Sequence, residues 1–369
     1  MQGVGQRVRD QRGDLLAAQR TAMPLLAPRR HAQQRGAACG SNRLWIHRWQ
    51  CPDRGPDCGG LALALGSWHP TVDPEGLMTS NAPLLTIGLP VYNGGTTLRA
   101  ALTALTTQTR GDFRLVIGDN ASTDDTPLIA REFADRDPRI TIVRRPALVS
   151  AIDNFRLLIE TADTPFFMFA PADDWWAPRF VETVLAALIA APSASLACSR
   201  IAMIAADGTQ TVSNGTNTLD GDAETRLRQY LRRPGDGSRF YGIHRTALFQ
   251  QGFAALTPMP AFDWLTLIPG LMAGTHIEVP EVLMHRDATP IERYRDWVLR
   301  LEPNPIGRVL PNLRLARAMM KMLPPPLRRR LFRDIMLMCA ASMPNSPYPA
   351  ARSAYANLLN ARRLLSRRA

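Results

Sequence analysis

Of the 44 basic residues in this chain of 369, only Lys321 is a lysine. So lopsided a choice of arginine reads as a bias of the coding sequence and gives no argument for phosphate recognition. Cysteine is sparse too. Cys39, Cys51, Cys58, Cys198 and Cys339 are an odd and scattered set, which excludes a disulfide framework and fits a reducing compartment. No apolar run approaches the roughly 18 residues needed to cross a bilayer, and no uninterrupted signal-peptide core opens the chain. A cytoplasmic protein is expected. The spacing of His47, Cys51 and Cys58 matches no common zinc finger. The G-x-G-x-x-G fingerprint of dinucleotide sites is also missing.

What is present is ample apolar material, 46% of residues, and a net charge of +12 that is unevenly spread. Residues 1–77 carry 10 Arg against 6 acids, and residues 290–369 carry 16 basic residues against 4. The stretch between them has 18 basic and 22 acidic residues. A basic tail on a slightly acidic body argues against a nucleic-acid-binding core and for an appended surface-binding segment. Residues 1–77 lack sustained periodicity and are expected to be a disordered leader, or translated upstream sequence ahead of a start at Met78. Residues 78–289 are expected to form the main domain, and 290–369 a basic helical C-terminal extension.

From Leu84 onward strand and helix patterns alternate. Strands are expected over Leu84–Val91, Phe113–Gly118, Ile140–Val143 and Phe166–Phe169. Helices are expected over Thr96–Thr107, Asp124–Ala134 and Ala151–Thr161. This βαβαβαβ rhythm with short connections implies an α/β fold with a mostly parallel central sheet flanked by helices. A helix over Pro178–Ala190 and a strand over Ala194–Ile204 follow. Later come strands over Arg239–His244 and Ile277–His285, with helical Phe262–Ala273 between them.

Three segments carry residues that packing does not require. At Leu89–Gly95 (L-P-V-Y-N-G-G), Gly94 and Gly95 allow a sharp turn and a close backbone approach to a ligand, although Asn-Gly is also an ordinary turn. At Gly118–Thr126 (G-D-N-A-S-T-D-D-T), Ser122 and Asp125 have capping-box spacing. Asp119 and Asn120 are left over from that cap, so Asp119 is either a satisfied loop carboxylate or a contact to a base or ribose. At Phe166–Trp176 (F-F-M-F-A-P-A-D-D-W-W), four bulky residues read as a strand buried on both faces. The strand ends in Asp173 and Asp174, where open α/β sheets bind ligands. One of these acids would serve a helix N-terminus; two of them suit a hard divalent cation carried in with phosphates.

The order P-x-Y-N, then a strand ending in D-N-x-S-x-D, then an apolar strand ending in an acidic pair resembles the family-2 glycosyltransferases, over roughly Leu84 to Arg286. The resemblance implies the GT-A fold, with a nucleotide-binding half (78–176) and an acceptor half (177–289). It implies inverting sugar transfer from a nucleoside-diphosphate sugar, UDP favoured, to a saccharide or lipid-linked acceptor, with Mg²⁺ or Mn²⁺. Carried over by position, Pro90, Tyr92 and Asn93 would lie along the nucleotide. Asp119 would contact the base with Asn120 beside it, and Asn154 matches an Asn on the helix before the metal strand. Asp173, with Asp174, would hold the cation. Pro171 stands where the family's first motif Asp would be, and a proline cannot ligate. Asp263, in P-A-F-D-W-L, is the candidate base, although it could equally be a helix N-cap. Arg286, in V-L-M-H-R-D, would stabilise the leaving diphosphate, or it is an exposed loop arginine. A nucleotidyltransferase of related fold, and an inactive nucleotide- or glycan-binding module, are the alternatives.

In the extension, Arg314, Arg317, Lys321, Arg328, Arg329, Arg330 and Arg333 interleave with Leu, Met and Phe at helical spacing. Two readings stay open. The helices pack on the catalytic domain with solvated Arg faces, or a basic amphipathic surface lies on the inner face of an anionic membrane.

Overall fold

In β1 (Leu85–Val91) every second side chain, from Leu85 to Val91, is buried in one apolar core. The computed structural model of the chain describes residues 82–353 and 356, apart from 206, 255, 289 and 290. The expectations for residues 1–77 fall outside it. After β1 come α1 (Leu98–Thr106), β2 (Phe113–Asp119), α2 (Thr126–Ala134), β3 (Ile140–Arg144), α3 (Ala151–Glu160) and β4 (Phe166–Phe169), in the expected alternation. The second half holds β5 (Trp175–Trp176), α4 (Phe180–Ala190), β6 (Ala194–Ile204), β7 (Gln210–Val212) and α5 (Ala223–Arg232). It continues with β8 (Ile243–Arg245), α6 (Thr246–Ala254), α7 (Phe262–Thr266), α8 (Ile268–Ala273) and β9 (Thr275–Asp287). The C-terminal helices are α9 (Ile291–Leu301), α10 (Pro305–Val309), α11 (Leu313–Met322) and α12 (Pro325–Ala340).

The strands form one sheet in the order β3-β2-β1-β4-β8-β6-β9-β5, with β7 on β6. The first four are parallel; β8 joins β4 and β6 antiparallel, and β6 and β9 are parallel. In register, Val91 pairs with Asp119, Asp119 with Arg144, and Gly88 with Phe169. The chain therefore leaves β1, β2 and β4 at one edge, bringing Tyr92, Asp119 and the Pro171–Asp174 loop together.

β4 explains the four-residue apolar run. Phe166 and Met168 enter the core beneath α1, α2 and α4, while Phe167 and Phe169 enter the core shared by α3, α5–α8, α11 and α12. All four are at most 1% exposed. Gly88 permits the close approach of α3, since a Cβ there would press on Phe167 and Leu158. The second core contains an aromatic cluster in which Phe169 stacks on Phe240 (centroids 5.2 Å apart). Phe155 contacts Phe169 and Phe262, and Phe262 contacts Phe240.

One expectation changes. The strand placed over Arg239–His244 is a 3-10 turn, Ser238–Tyr241, followed by the three-residue β8. Trp175 and Trp176 are a two-residue strand paired with His285 and Met284 of β9, and Trp176 is a core residue.

Candidate active site

The loops after β1 and β2 are buckled together by Asn93, which adopts a left-handed backbone (φ 50°). Its N–H donates to Ser122 Oγ (3.0 Å), and its Oδ1 accepts from the N–H of Thr123 (2.9 Å). The N–H groups of Gly94 and Gly95 donate to Thr126 Oγ1 and Asp124 Oδ2, both at 2.9 Å. The sharp turn is thus made by the asparagine, and the two glycine amides are already used by side chains of the neighbouring loop. The capping box does not form either. Ser122 serves Asn93, and the N–H of Thr126 at the start of α2 donates to Asp124 Oδ1. Pro90 lies within β1 opposite Gly118, and Tyr92 is half-exposed at the edge.

Asp119 is 1% exposed. Its Oδ1 accepts from the N–H of Ser122 (2.9 Å). Arg144 Nη1 stands 3.1 Å from Oδ2 without hydrogen-bond geometry, so this buried oxygen lacks a donor. Asn120 spends its carboxamide on the backbone of Val149, donating from Nδ2 and accepting at Oδ1. Asn154 donates from Nδ2 to Gly118 O (2.7 Å), and its buried Oδ1 has no partner. The end of β2 therefore carries two buried acceptors without donors, Asp119 Oδ2 and Asn154 Oδ1. Buried acceptors left in this state call for an explanation, and a ligand N–H or O–H would supply one.

The acidic pair divides. Asp173 is exposed and has no ion-pair partner among the described residues. Asp174 is buried, and its Oδ2 accepts from Arg286 Nε at 3.1 Å. Burial pushes its pKa up to about 7 against the opposing pull of Arg286, and Asp173 next door pushes it further up. Asp174 is thus occupied as the counter-ion of Arg286, which departs from the expectation of a second metal ligand. Arg286 is correspondingly no exposed loop residue. Its guanidinium lies 4.1 Å over the ring of Tyr241, and Nη1 donates to Ser238 Oγ (3.4 Å).

Asp263 lies in the first turn of α7, after Ala261 in a left-handed conformation (φ 54°). Its side chain caps no helix, contrary to the N-cap alternative. The carboxylate lies against Gly237, whose φ of 78° and lack of a Cβ leave it room. Burial raises the Asp263 pKa to about 6, opposed by its own backbone amide and by the positive charge of Arg286. Burial pushes the Tyr241 pKa up, and the charges of Arg286, Asp174, Asp263 and Asp173 all act on it. Sequence reasoning missed Tyr241, Ser238 and Arg144 as site residues.

Among the described residues no group of three or more His, Cys, Asp or Glu side chains could hold a metal by itself. One exposed carboxylate, Asp173, fits the mode in which a hard cation takes one or two carboxylates and completes its shell with phosphates and water. Asp174, bonded to a guanidinium, does not fit as a second ligand.

A parallel half running into a mixed half, in one sheet flanked by helices, is the α/β arrangement of the GT-A fold class. Residues 86–253, a little under half of the chain, match the family described as Glycosyl transferase family 2. The chain is 32% identical over 104 residues to the putative glycosyltransferase EpsH of Bacillus subtilis, covering 28% of this chain and 30% of that protein. It is 34% identical over 93 residues to a PGL/p-HBAD biosynthesis glycosyltransferase of Mycobacterium bovis, covering 25% and 36%. The chain thus matches about a third of the length of these relatives. The mannosyltransferase PcManGT from Pyrobaculum calidifontis, solved with GDP-Man and Mn²⁺, shares the fold. Its TM-score is 0.50 at 18% identity, over 80% of this chain and 82% of that one.

Proposed function

We propose that this chain is an inverting glycosyltransferase that moves a sugar from a nucleoside-diphosphate sugar, UDP favoured, to a saccharide or lipid-linked acceptor in cell-surface glycan synthesis. The observation that supports the reading is that Asp119 and the Asp173–Asp174 pair end the two parallel strands flanking β1, with Arg286 bonded to Asp174 and its charge acting on Asp263. The donor-less Asp119 Oδ2 suits an N–H of the base, and Tyr92 offers it a ring face. Asn93 and Asn120 hold the loops that shape this half, and Asn154 fixes the end of β2. Asp173 would hold Mg²⁺ or Mn²⁺ against the diphosphate, where the cation supplies charge neutralisation for the leaving group. PcManGT with its GDP-Man and Mn²⁺ supports a nucleotide sugar and a divalent cation here.

Asp263 acts as general base. With a pKa raised to about 6 it remains mostly ionised at neutral pH while being a better proton acceptor than an ordinary carboxylate. It takes the proton of the acceptor hydroxyl as that oxygen bonds to the anomeric carbon. The bond from that carbon to the diphosphate oxygen breaks, and its electron pair leaves with the nucleotide. Arg286, fixed by Asp174, Ser238 and Tyr241, brings positive charge to the cleft as negative charge builds on the diphosphate. The site is expected to work in the cytoplasm, at the inner face of the membrane if the acceptor is lipid-linked.

The test is calorimetric titration of Mn²⁺ with UDP present, together with NMR assignment of the anomeric configuration of the product. Asp173→Asn weakens Mn²⁺ binding, and Asp174→Asn leaves it near the native value. A product that retains configuration, or UDP binding with no transfer to any acceptor tried, sinks the reading. The second outcome would favour an inactive binding module, a reading kept in view by Pro171.

A further inference from the structure

Helix α12 carries more apolar surface than its packing uses. Leu331, Ile335, Met338 and Cys339 are buried in the second core. Phe332, Met336 and Leu337 point the other way, and Phe332 and Leu337 are 53% and 51% exposed. On the same outer face Arg329 and Arg333 complete a stripe at i, i+3, i+4, i+7 and i+8, the spacing of one helix face. Neither arginine has an ion-pair partner among the described residues.

Beside this stripe, α12 and α5 enclose a groove of about 570 Å³ with Leu231, Met338 and Ala341 in its apolar lining. Its rim is held open by ion pairs. Arg228 and Arg232 meet Asp334 at 3.1 and 3.2 Å, and Arg228 and Arg330 meet Glu224 at 2.8 and 2.9 Å. With Arg328, Arg329 and Arg333 counted, six guanidiniums face two carboxylates, so the patch stays strongly positive. The combination needs both halves of the chain. α5 is an acceptor-half helix, and its two arginines were invisible to a reading of the C-terminal extension alone.

We propose that the α5–α12 face docks on an anionic phospholipid surface, with Phe332, Met336 and Leu337 entering the acyl boundary and the arginine rim meeting lipid phosphates. Apolar side chains ringed by arginine are the chemistry of an interfacial helix. A second copy of this chain is a poor occupant, because a two-fold contact would set guanidinium against guanidinium. A nucleic acid fits no better, since the body between residues 78 and 289 carries more acids than bases. This inference goes beyond the transferase reading and does not depend on it.

The test is co-sedimentation of the full chain with vesicles of phosphatidylcholine and phosphatidylglycerol in equal parts, against phosphatidylcholine alone. The native chain binds the anionic vesicles and leaves the neutral ones. Each arginine near such a surface multiplies partitioning by about fivefold, so Arg329→Gln with Arg333→Gln lowers it by about 25-fold. Phe332→Ser with Leu337→Ser lowers it too, without lowering the melting temperature, since both side chains are exposed. Arg317→Gln with Lys321→Gln on α11 changes it little. Three results would overturn the proposal: indifference of the native chain to anionic vesicles, an equal loss in the α11 variant, or a soluble dimer dissociated by the α12 substitutions. Nucleotide binding measured on the same variants separates failure here from failure of the transferase reading.

Discussion

Asp263 and Arg286 act on each other, and their coupling has a sign that can be measured. The Asp263 pKa of about 6 lies above its unfolded value of 3.8, so the folded chain binds this proton more tightly. The associated stability is full below about pH 4 and is lost as pH rises through 6. Asp263→Asn is therefore expected to raise the melting temperature at pH 8, with the gain fading below pH 4, while transfer is abolished. In the active chain kcat/KM should rise with pH along a limb near 6. Because the Arg286 charge holds Asp263 down, Arg286→Gln should move that limb upward and lower kcat about 10²-fold. Arg286→Lys should restore the limb better than the rate, since an ammonium lacks the planar fork that meets Asp174 and Ser238. A pH–rate series on the native chain and the two Arg286 variants, with melting curves of Asp263→Asn at pH 4 and pH 8, checks these outcomes.

At the scale of elements, legibility follows sequence distance. β4 was readable because burial on both faces leaves four consecutive apolar residues, a signal contained in the strand itself. β8, reading Ile-His-Arg, covers only the end of the strand expected over Arg239–His244 and carries no apolar run of its own. It is a strand because β4 and β6 lie on either side, and its polar side chains are satisfied by distant backbone, with Arg245 Nε donating to Ala194 O at 2.7 Å. β5 is two residues long and exists through β9, more than a hundred positions away. The same separation hid the Asp174–Arg286 pair, so adjacent acids read as two ligands when one is a counter-ion. Asp119, Asp173 and Asp263 stand out in the sequence because each ends or follows a well-patterned strand or opens a helix. Gly237 gives an element-level prediction. Alanine there meets a positive φ costing roughly 1–2 kcal/mol and collides with the Asp263 carboxylate. Gly237→Ala should lower the melting temperature modestly and kcat far more.

Across the whole molecule, the C-terminal helices belong to the catalytic body more than the charge distribution suggested. Leu315, Ala316 and Met319 of α11 join Leu331, Ile335 and Met338 of α12 in the core that also holds Phe167 and Phe169 of β4. Deleting residues from 312 onward should open that core and produce a chain that binds hydrophobic dyes and aggregates, as light scattering would show. Phe169→Ala should cost about 3–5 kcal/mol, read from urea unfolding, because its ring touches Phe155, Phe240, Phe249 and Phe253 at once.

That cluster of rings also sets how the cleft moves. Phe169 lies four residues before Asp173, Phe240 directly before Tyr241, and Phe262 directly before Asp263, so the segments carrying these three polar residues stand on one footing. Walls with a common foundation have no hinge between them. Loading and release of substrates then fall to the loops at the rim, and hydrogen exchange should find the three phenylalanine segments opening together, as a single unit.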